Sequence, residues 1–232
     1  MIYSIKNCPK MPLPELLDFI IDNRGKSVPT TDSGHVLIAT NCIKNEYLYP
    51  VFDKVRYLSE DTYNTWFRAH LQPGDVIFVN KGTPGRVCMV PDPVNFCIAQ
   101  DMMAFRVNNQ MIYNKYLLAV LRSTEIQKHI HNYNVGDVIP HFKKSFLGEL
   151  LIPLPLMEIQ QKIGDIYFDI SEKIFSNSNI NHHLTGSMSE TLSSPDIKRG
   201  KRVSRRVARR RFSIRLLITN SYKGAINFPI VI

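Results

Sequence analysis

The chain has 232 residues, enough for one large domain or one domain with an appendage. At 44% hydrophobic and 21% charged it is neither a disordered nor a collagen-like chain, and it lacks the run of roughly 18 apolar residues that a membrane-spanning helix needs. The net charge of +9 suggests a nucleic-acid partner, but residues 186–232 hold 11 Lys/Arg against 2 acids, which leaves 18 of each in residues 1–185.

Met1 to Met11 carries Lys6 and Lys10 but no apolar core, so no secretory leader is expected. Cys8, Cys42, Cys88 and Cys97 form neither a CxxC pair nor a Cys/His zinc spacing, so a reduced, cytoplasmic protein without a metal site or cofactor is expected. Residues 13–22, LPELLDFIID, predict a short helix or helix-like lead-in, with Pro14 in its first turn. Residues 23–34 are a Gly/Pro/Ser/Thr loop bearing Arg24 and Lys26. His35 to Thr40 suits a buried strand, and residues 41–55 read as extended or turn-rich. Glu60 to His70 suits a short helix with Ser59 as its N-cap.

The strongest β signal is residues 71–90: a Pro73-Gly74 turn, a strand over 75–79, a Gly/Pro loop over 80–85 and a returning strand over 86–90. Two more strands are expected at 96–99 and 102–107, interrupted near Gln100-Asp101. Residues 113–130 have helical apolar spacing, and 146–154 is a strand-like run ending LIPLP. From Glu158 to Leu184 a second helix is expected. Ile159, Ile163, Ile166, Ile170, Lys173, Asn177, Ile180 and Leu184 recur at alternating four- and three-residue intervals, the spacing of a coiled-coil seam. An amphipathic helix packed on its own domain would show a similar pattern.

Catalytic signatures are missing. There is no P-loop, dinucleotide fingerprint, HExxH or GxSxG, and no Asn/Asp-Pro-Pro-aromatic motif for amino-group methylation. Asp75 followed by Lys81 only faintly resembles a metal-dependent nuclease, because the second acid is missing. His182-His183 is a poor chelate, since adjacent helical residues point about 100° apart. Four loops instead combine cations, amides and glycines: Arg24-Gly25-Lys26, Asn80-Lys81-Gly82-Thr83, Gln100-Asp101 and His141-Phe142-Lys143-Lys144, and Arg86 at the start of the returning strand is a further DNA-binding candidate. Arginine and amide side chains can read base edges, while lysine and threonine suit phosphates. Solvated turns have the same composition. The basic run 198–215 reads either as a phosphate-binding arm or as out-of-frame translation after an interrupted gene.

Several segments together resemble the DNA specificity subunit of type I restriction-modification systems, a bacterial defence complex. They are LPELLDFIIDNRGKSVPTTDSGHVLIATNCIKN, LQPGDVIFVNKGTPGRVCMV, FCIAQDMMAFRV, YNKYLLAVLRS and, most specifically, GDVIPHFKKSFLGELLIPLPLMEIQQKIGDI, and the likeness spans about residues 12–184. Ile152-Pro153-Leu154-Pro155 leads into Glu158-Ile159-Gln160-Gln161, with Leu156 where the family has a further proline and Ile159 splitting its Glu-Gln pair.

The resemblance implies a mixed α+β target recognition domain, with a twisted β-sheet and flanking helices, over 1–155. A coiled-coil-type spacer helix follows over 156–185, then a basic tail over 186–232. It implies a non-catalytic subunit that reads one half of a bipartite site in double-stranded DNA. Modification (methyltransferase) and restriction (endonuclease/translocase) subunits would supply the chemistry. With a single recognition unit, the chain is expected to be a half-subunit dimerising through the spacer helix, or a truncated product. The competing readings are a degenerate scaffold for modification subunits, a solitary nuclease and a basic-tail RNA binder.

Overall fold

The structure, a computed structural model, describes residues 8–23, 26–135 and 140–193, with the side chains of 134–135 and 178–193 left aside. Arg24, residues 136–139, the basic run 198–215 and the side chains of Ile180 and Leu184 lie outside the described residues. The chain divides into two compact units, Met1–Phe175 and Ser176–Val231, and the described part of the second is helix.

Eleven strands and four α-helices are described. The first half holds β1 (Lys10–Pro12), β2 (Leu17–Asp22), β3 (His35–Ile38), β4 (Arg56–Leu58), α1 (Glu60–Thr65) and β5 (Val76–Val79). Then come β6 (Val87–Met89), β7 (Phe96–Ile98), β8 (Met102–Val107), α2 (Asn114–Leu121) and α3 (Thr124–Asn132). The last are β9 (Asn134–Val135), β10 (His141–Phe142), β11 (Leu151–Pro153) and α4 (Met157–Ser193). The first unit is therefore mixed α+β, as expected. An antiparallel sheet in the order β2-β8-β5-β6 is its centre. A second sheet, β4-β3-β7, contains one parallel pair, and β1 pairs with β11.

The strand period of two divides the core. On β5, Val76 and Phe78 face one apolar cluster while Ile77 and Val79 face the other. On β8, Met103, Phe105 and Val107 oppose Met102 and Ala104 in the same way. The first cluster is closed by Leu117, Val120 and Leu121 of α2, Ile126 and Ile130 of α3, and Phe168 of α4. Leu37, Ile38, Phe96 and Ile98 of the second sheet close the other. Coverage on both faces explains why 76–79 is continuously apolar rather than alternating. Phe78 sits 5.6 Å from Phe105 and 5.5 Å from Phe142, ring centre to ring centre. Such a fully buried ring stabilises the fold by about 1.5–3 kcal/mol. Asp75, 2% exposed, closes the lower end of β5 with a two-pronged ion pair to Arg106, at 3.1 Å to Nε and 2.9 Å to Nη2.

The sequence reading fails in five places, one of them α1, which ends at Thr65 rather than at His70. Residues 13–22 are not one helix. Leu13–Leu16 form a single 3-10 turn, and Leu17–Asp22 form an edge strand on β8. Leu13 and Leu16 enter the core, and β pairing satisfies the backbone that follows. The 113–130 helix is broken at Arg122. There Ser123 caps α3 by accepting a hydrogen bond from the Ile126 amide at 3.4 Å. Residues 146–154 contain a 3-10 segment, Lys144–Glu149, before the short β11. The last helix does not stop at Leu184 but continues to Ser193. The Ser59 cap is as expected, accepting from the Thr62 amide at 3.1 Å.

Candidate nucleic-acid interface

One end of the central sheet gathers the loops. Asp22, the last residue of β2, is in register with Met103, and Val79, the last of β5, is in register with Met102. The segments leaving β2 and β5 and the segment entering β8 therefore lie side by side. The Asp101 carbonyl accepts from the amides of Asn80 (3.1 Å) and Lys81 (3.3 Å). The Asn80 carbonyl accepts from the Phe142 amide at 2.8 Å, Lys81 bridges His141, and the Gly82 amide donates to the Pro140 carbonyl at 3.0 Å. Lys144 Nζ closes the ring on Asp22 Oδ2 at 2.7 Å. Four loops far apart in the chain thus form one rim.

Gly85 lets the 80–85 loop turn tightly. Its φ is +91°, and a Cβ there would lie 2.9 Å from Gln127 Oε1. Gln127 Nε2 in turn donates to the Gly85 carbonyl at 2.8 Å, anchoring the loop to α3.

The rim gathers most of the residues singled out from the sequence. Lys81, Lys143 and Lys144 are exposed, His141 and Gln100 are half-buried, and Asn80 lies at its centre. Lys26 is exposed just beyond the end of β2, and Thr83 is half-buried in the 80–85 loop. Arg86 is turned elsewhere, with Nη1 3.5 Å from the Ile43 carbonyl. Three amide oxygens are buried here without a hydrogen bond: Asn23 Oδ1, Asn80 Oδ1 and Gln100 Oε1.

Sequence reasoning missed Asp22, Asn23 and Arg68. Arg68 Nη1 lies 3.4 Å from Asp22 Oδ1. Asn23 donates through Nδ2 to the Ile98 carbonyl and is 3% exposed. Only the adjacency of Asp22-Asn23 to the Arg24-Gly25-Lys26 loop could have drawn attention to them. Asp75 is committed to Arg106, and among the described residues no group of three or more His, Cys, Asp or Glu is placed to hold a metal ion.

Within the first unit, the beginning of α4 docks on the domain by one face. Gln160, 1% exposed, accepts from the Tyr113 amide at 2.9 Å and donates to the carbonyls of Pro155 (2.9 Å) and Met111 (3.2 Å). Gly164 and Phe168 continue that face. Asp165 meets Lys115 Nζ at 2.8 Å and the Tyr113 hydroxyl at 2.9 Å, and those two hydrogen bonds hold its carboxyl below the usual range. Arg122 donates to the carbonyls of Tyr47 (2.6 Å) and Val87 (2.7 Å) and lies 3.3 Å from the Tyr167 hydroxyl. The expected seam lies beside this docked face. Ile159 and Ile163 are half-buried, and Ile163 packs on the domain core. Ile166 (59%) and Ile170 (47%) are exposed, as are Lys173 and Asn177.

A mixed α+β domain with a loop rim and a docked long helix defines the class. Residues 26–185 match the type I restriction modification DNA specificity domain, and the chain belongs to that family. Its fold is similar to that of the HsdS subunit from Thermoanaerobacter tengcongensis, at 19% identity and a TM-score of 0.54, over 79% of this chain and 47% of that one. A chain from a structure on complex assembly and conformational transition of the type I R-M system gives 17% identity and a TM-score of 0.54, over 78% of this chain and 43% of that one. This chain thus spans less than half the length of these solved chains. No curated protein sequence matches it.

Proposed function

We propose that the chain is a non-catalytic DNA specificity subunit. Its loop rim reads one half of a bipartite site in double-stranded DNA. The observation that carries this reading is the convergence of the 80–83, 100–101 and 141–144 loops with the end of β2, which sets exposed lysines beside the half-buried amide side chains of Asn80 and Gln100. Lysines on such a rim position a duplex by its phosphates, and amides pair with base edges in the major groove. Net neutrality of residues 1–185 does not oppose this, because Lys81, Lys143 and Lys144 are exposed together on the rim.

In this reading α4 is a spacer. The exposed Ile166 and Ile170 pair with a second helix, from another copy of the chain or from a second recognition unit. Modification and restriction subunits supply methyl transfer and cleavage in the cytoplasm. Fluorescence anisotropy of the full chain on a random-sequence duplex tests the rim. Replacing Lys26, Lys81 and Lys143 together by Gln is expected to reduce the salt slope by about 0.9 per lysine. An unchanged slope would place DNA binding outside the rim.

A further inference from the structure

Building on that reading, we propose that Asp22 is a specificity-determining residue. Its carboxylate withholds Lys144 and Arg68 from phosphodiester oxygens until a fitting duplex is seated on the rim. The two cations take one carboxylate oxygen each, Lys144 Nζ at 2.7 Å from Oδ2 and Arg68 Nη1 at 3.4 Å from Oδ1. They arrive from distant parts of the chain, one from the segment after α1 and one from the start of the 144–149 turn.

The three groups differ in freedom. Asp22 is fixed by strand register opposite Met103, and its side chain is 30% exposed. The Lys144 and Arg68 side chains are 51% and 59% exposed, so their charged heads can swing away while the carboxylate stays. Exposed ion pairs of this kind are weak, so phosphate can displace the carboxylate when geometry favours it. Lys26, Lys81 and Lys143 make no ion pair among the described residues and can meet any duplex. Lys144 and Arg68 differ because each must first leave Asp22. A duplex that docks loosely on the rim leaves both pairs closed. One that seats fully brings phosphates within reach of both cations and opens them. The carboxylate thereby penalises loose docking more than full docking, which is discrimination by repulsion.

The test uses the full chain and Asp22→Asn, with duplex affinity measured across about 50–200 mM salt. On a random-sequence duplex the variant is expected to show a slope steeper by about 1.8, and so about tenfold more affinity lost over that range. Adding Lys144→Gln is expected to cut the extra slope to about 0.9. The ratio of affinities for a library-selected duplex and the random duplex is expected to fall. A wild-type slope in Asp22→Asn, with both proteins binding, overturns the proposal, as does a lowered melting temperature with no change of slope. A separate variant, Lys144→Gln alone, is expected to weaken the selected duplex more than the random one, and equal weakening overturns the proposal. If wild-type protein binds no duplex, selected or random, the DNA-reading function itself fails, and this inference with it.

Discussion

Gly164 of α4 lies directly against the backbone of Tyr116 in α2: a Cβ on Gly164 would be 2.8 Å from the Tyr116 amide nitrogen. The same Cβ would be 3.0 Å from Lys115 Cβ and from Tyr113 Cδ1. Mid-helix glycine is ordinarily less favourable than alanine by about 1 kcal/mol. Here the sign reverses, because backbone cannot yield as a flexible side chain can. Gly164→Ala is expected to destabilise the first unit by about 1–3 kcal/mol, read as a lower urea midpoint. A raised midpoint would show that α4 does not dock this closely.

Gln160 satisfies three backbone groups from its buried position. Gln160→Ala strands the Tyr113 amide and the Met111 and Pro155 carbonyls wherever water does not replace the side chain. The expected cost is about 1–3 kcal/mol per stranded group. Gln160→Glu keeps the acceptor but loses the donor, and sets a carboxylate against two carbonyls. It is expected to destabilise at least as much as alanine does at neutral pH, and less at acidic pH.

The Lys115–Asp165–Tyr113 cluster makes stability depend on pH at both extremes. The Asp165 carboxyl is held low by its hydrogen bonds from Lys115 and Tyr113. Its contribution is present above the unfolded value near pH ~3.9 and fades as pH falls through the lower folded value. Lys115 is pushed up by its hydrogen bond to Asp165, and Tyr113 is pushed up by burial and then by Asp165. Their contributions are complete below about pH 10 and fade above it. With side chains 35% and 51% exposed, the ion pair is worth below about 1 kcal/mol. Asp165→Asn is expected to flatten the acid limb of a melting-temperature profile and soften the alkaline one. An unchanged acid limb would contradict the assignment.

The exposed seam gives a prediction about association. Ile166→Asp with Ile170→Asp places two charges on the undocked side of α4. If that side pairs with another helix, sedimentation of the double variant shows loss of the self-associated species, while circular dichroism of the domain is retained. A monomeric wild-type chain at the same concentration would contradict self-pairing through this face.

Local chemistry was legible in the sequence where one residue decides the outcome. Ser59 marks its cap, and the β-branched and aromatic run over 75–79 and the run over 102–107 mark strands. It was not legible where partners decide. LPELLDFIID has both helical and strand character, and pairing with β8 settles it as strand after one 3-10 turn. The break before Ser123 is stabilised by Arg122 reaching carbonyls at Tyr47 and Val87, which no local pattern shows. On α4 the seam and the docked face overlap at Ile163, so periodicity alone could not separate a coiled-coil helix from a packed one. The loops of the rim carried recognisable chemistry, but their meeting depends on sheet order, and Asp22 gains a role only when Lys144 and Arg68 arrive beside it.

The most direct test of the central claim is selection from a randomised duplex library by the full chain, repeated with Asn80→Ala. If the rim reads DNA, wild-type protein enriches one short motif. Asn80→Ala then relaxes preference at one or two of its positions, at a cost of about 1–3 kcal/mol there, and leaves the salt slope unchanged. A library that emerges without enrichment, or a motif untouched by Asn80→Ala together with the Gln100→Ala and His141→Ala variants, would contradict the assignment of sequence reading to this rim.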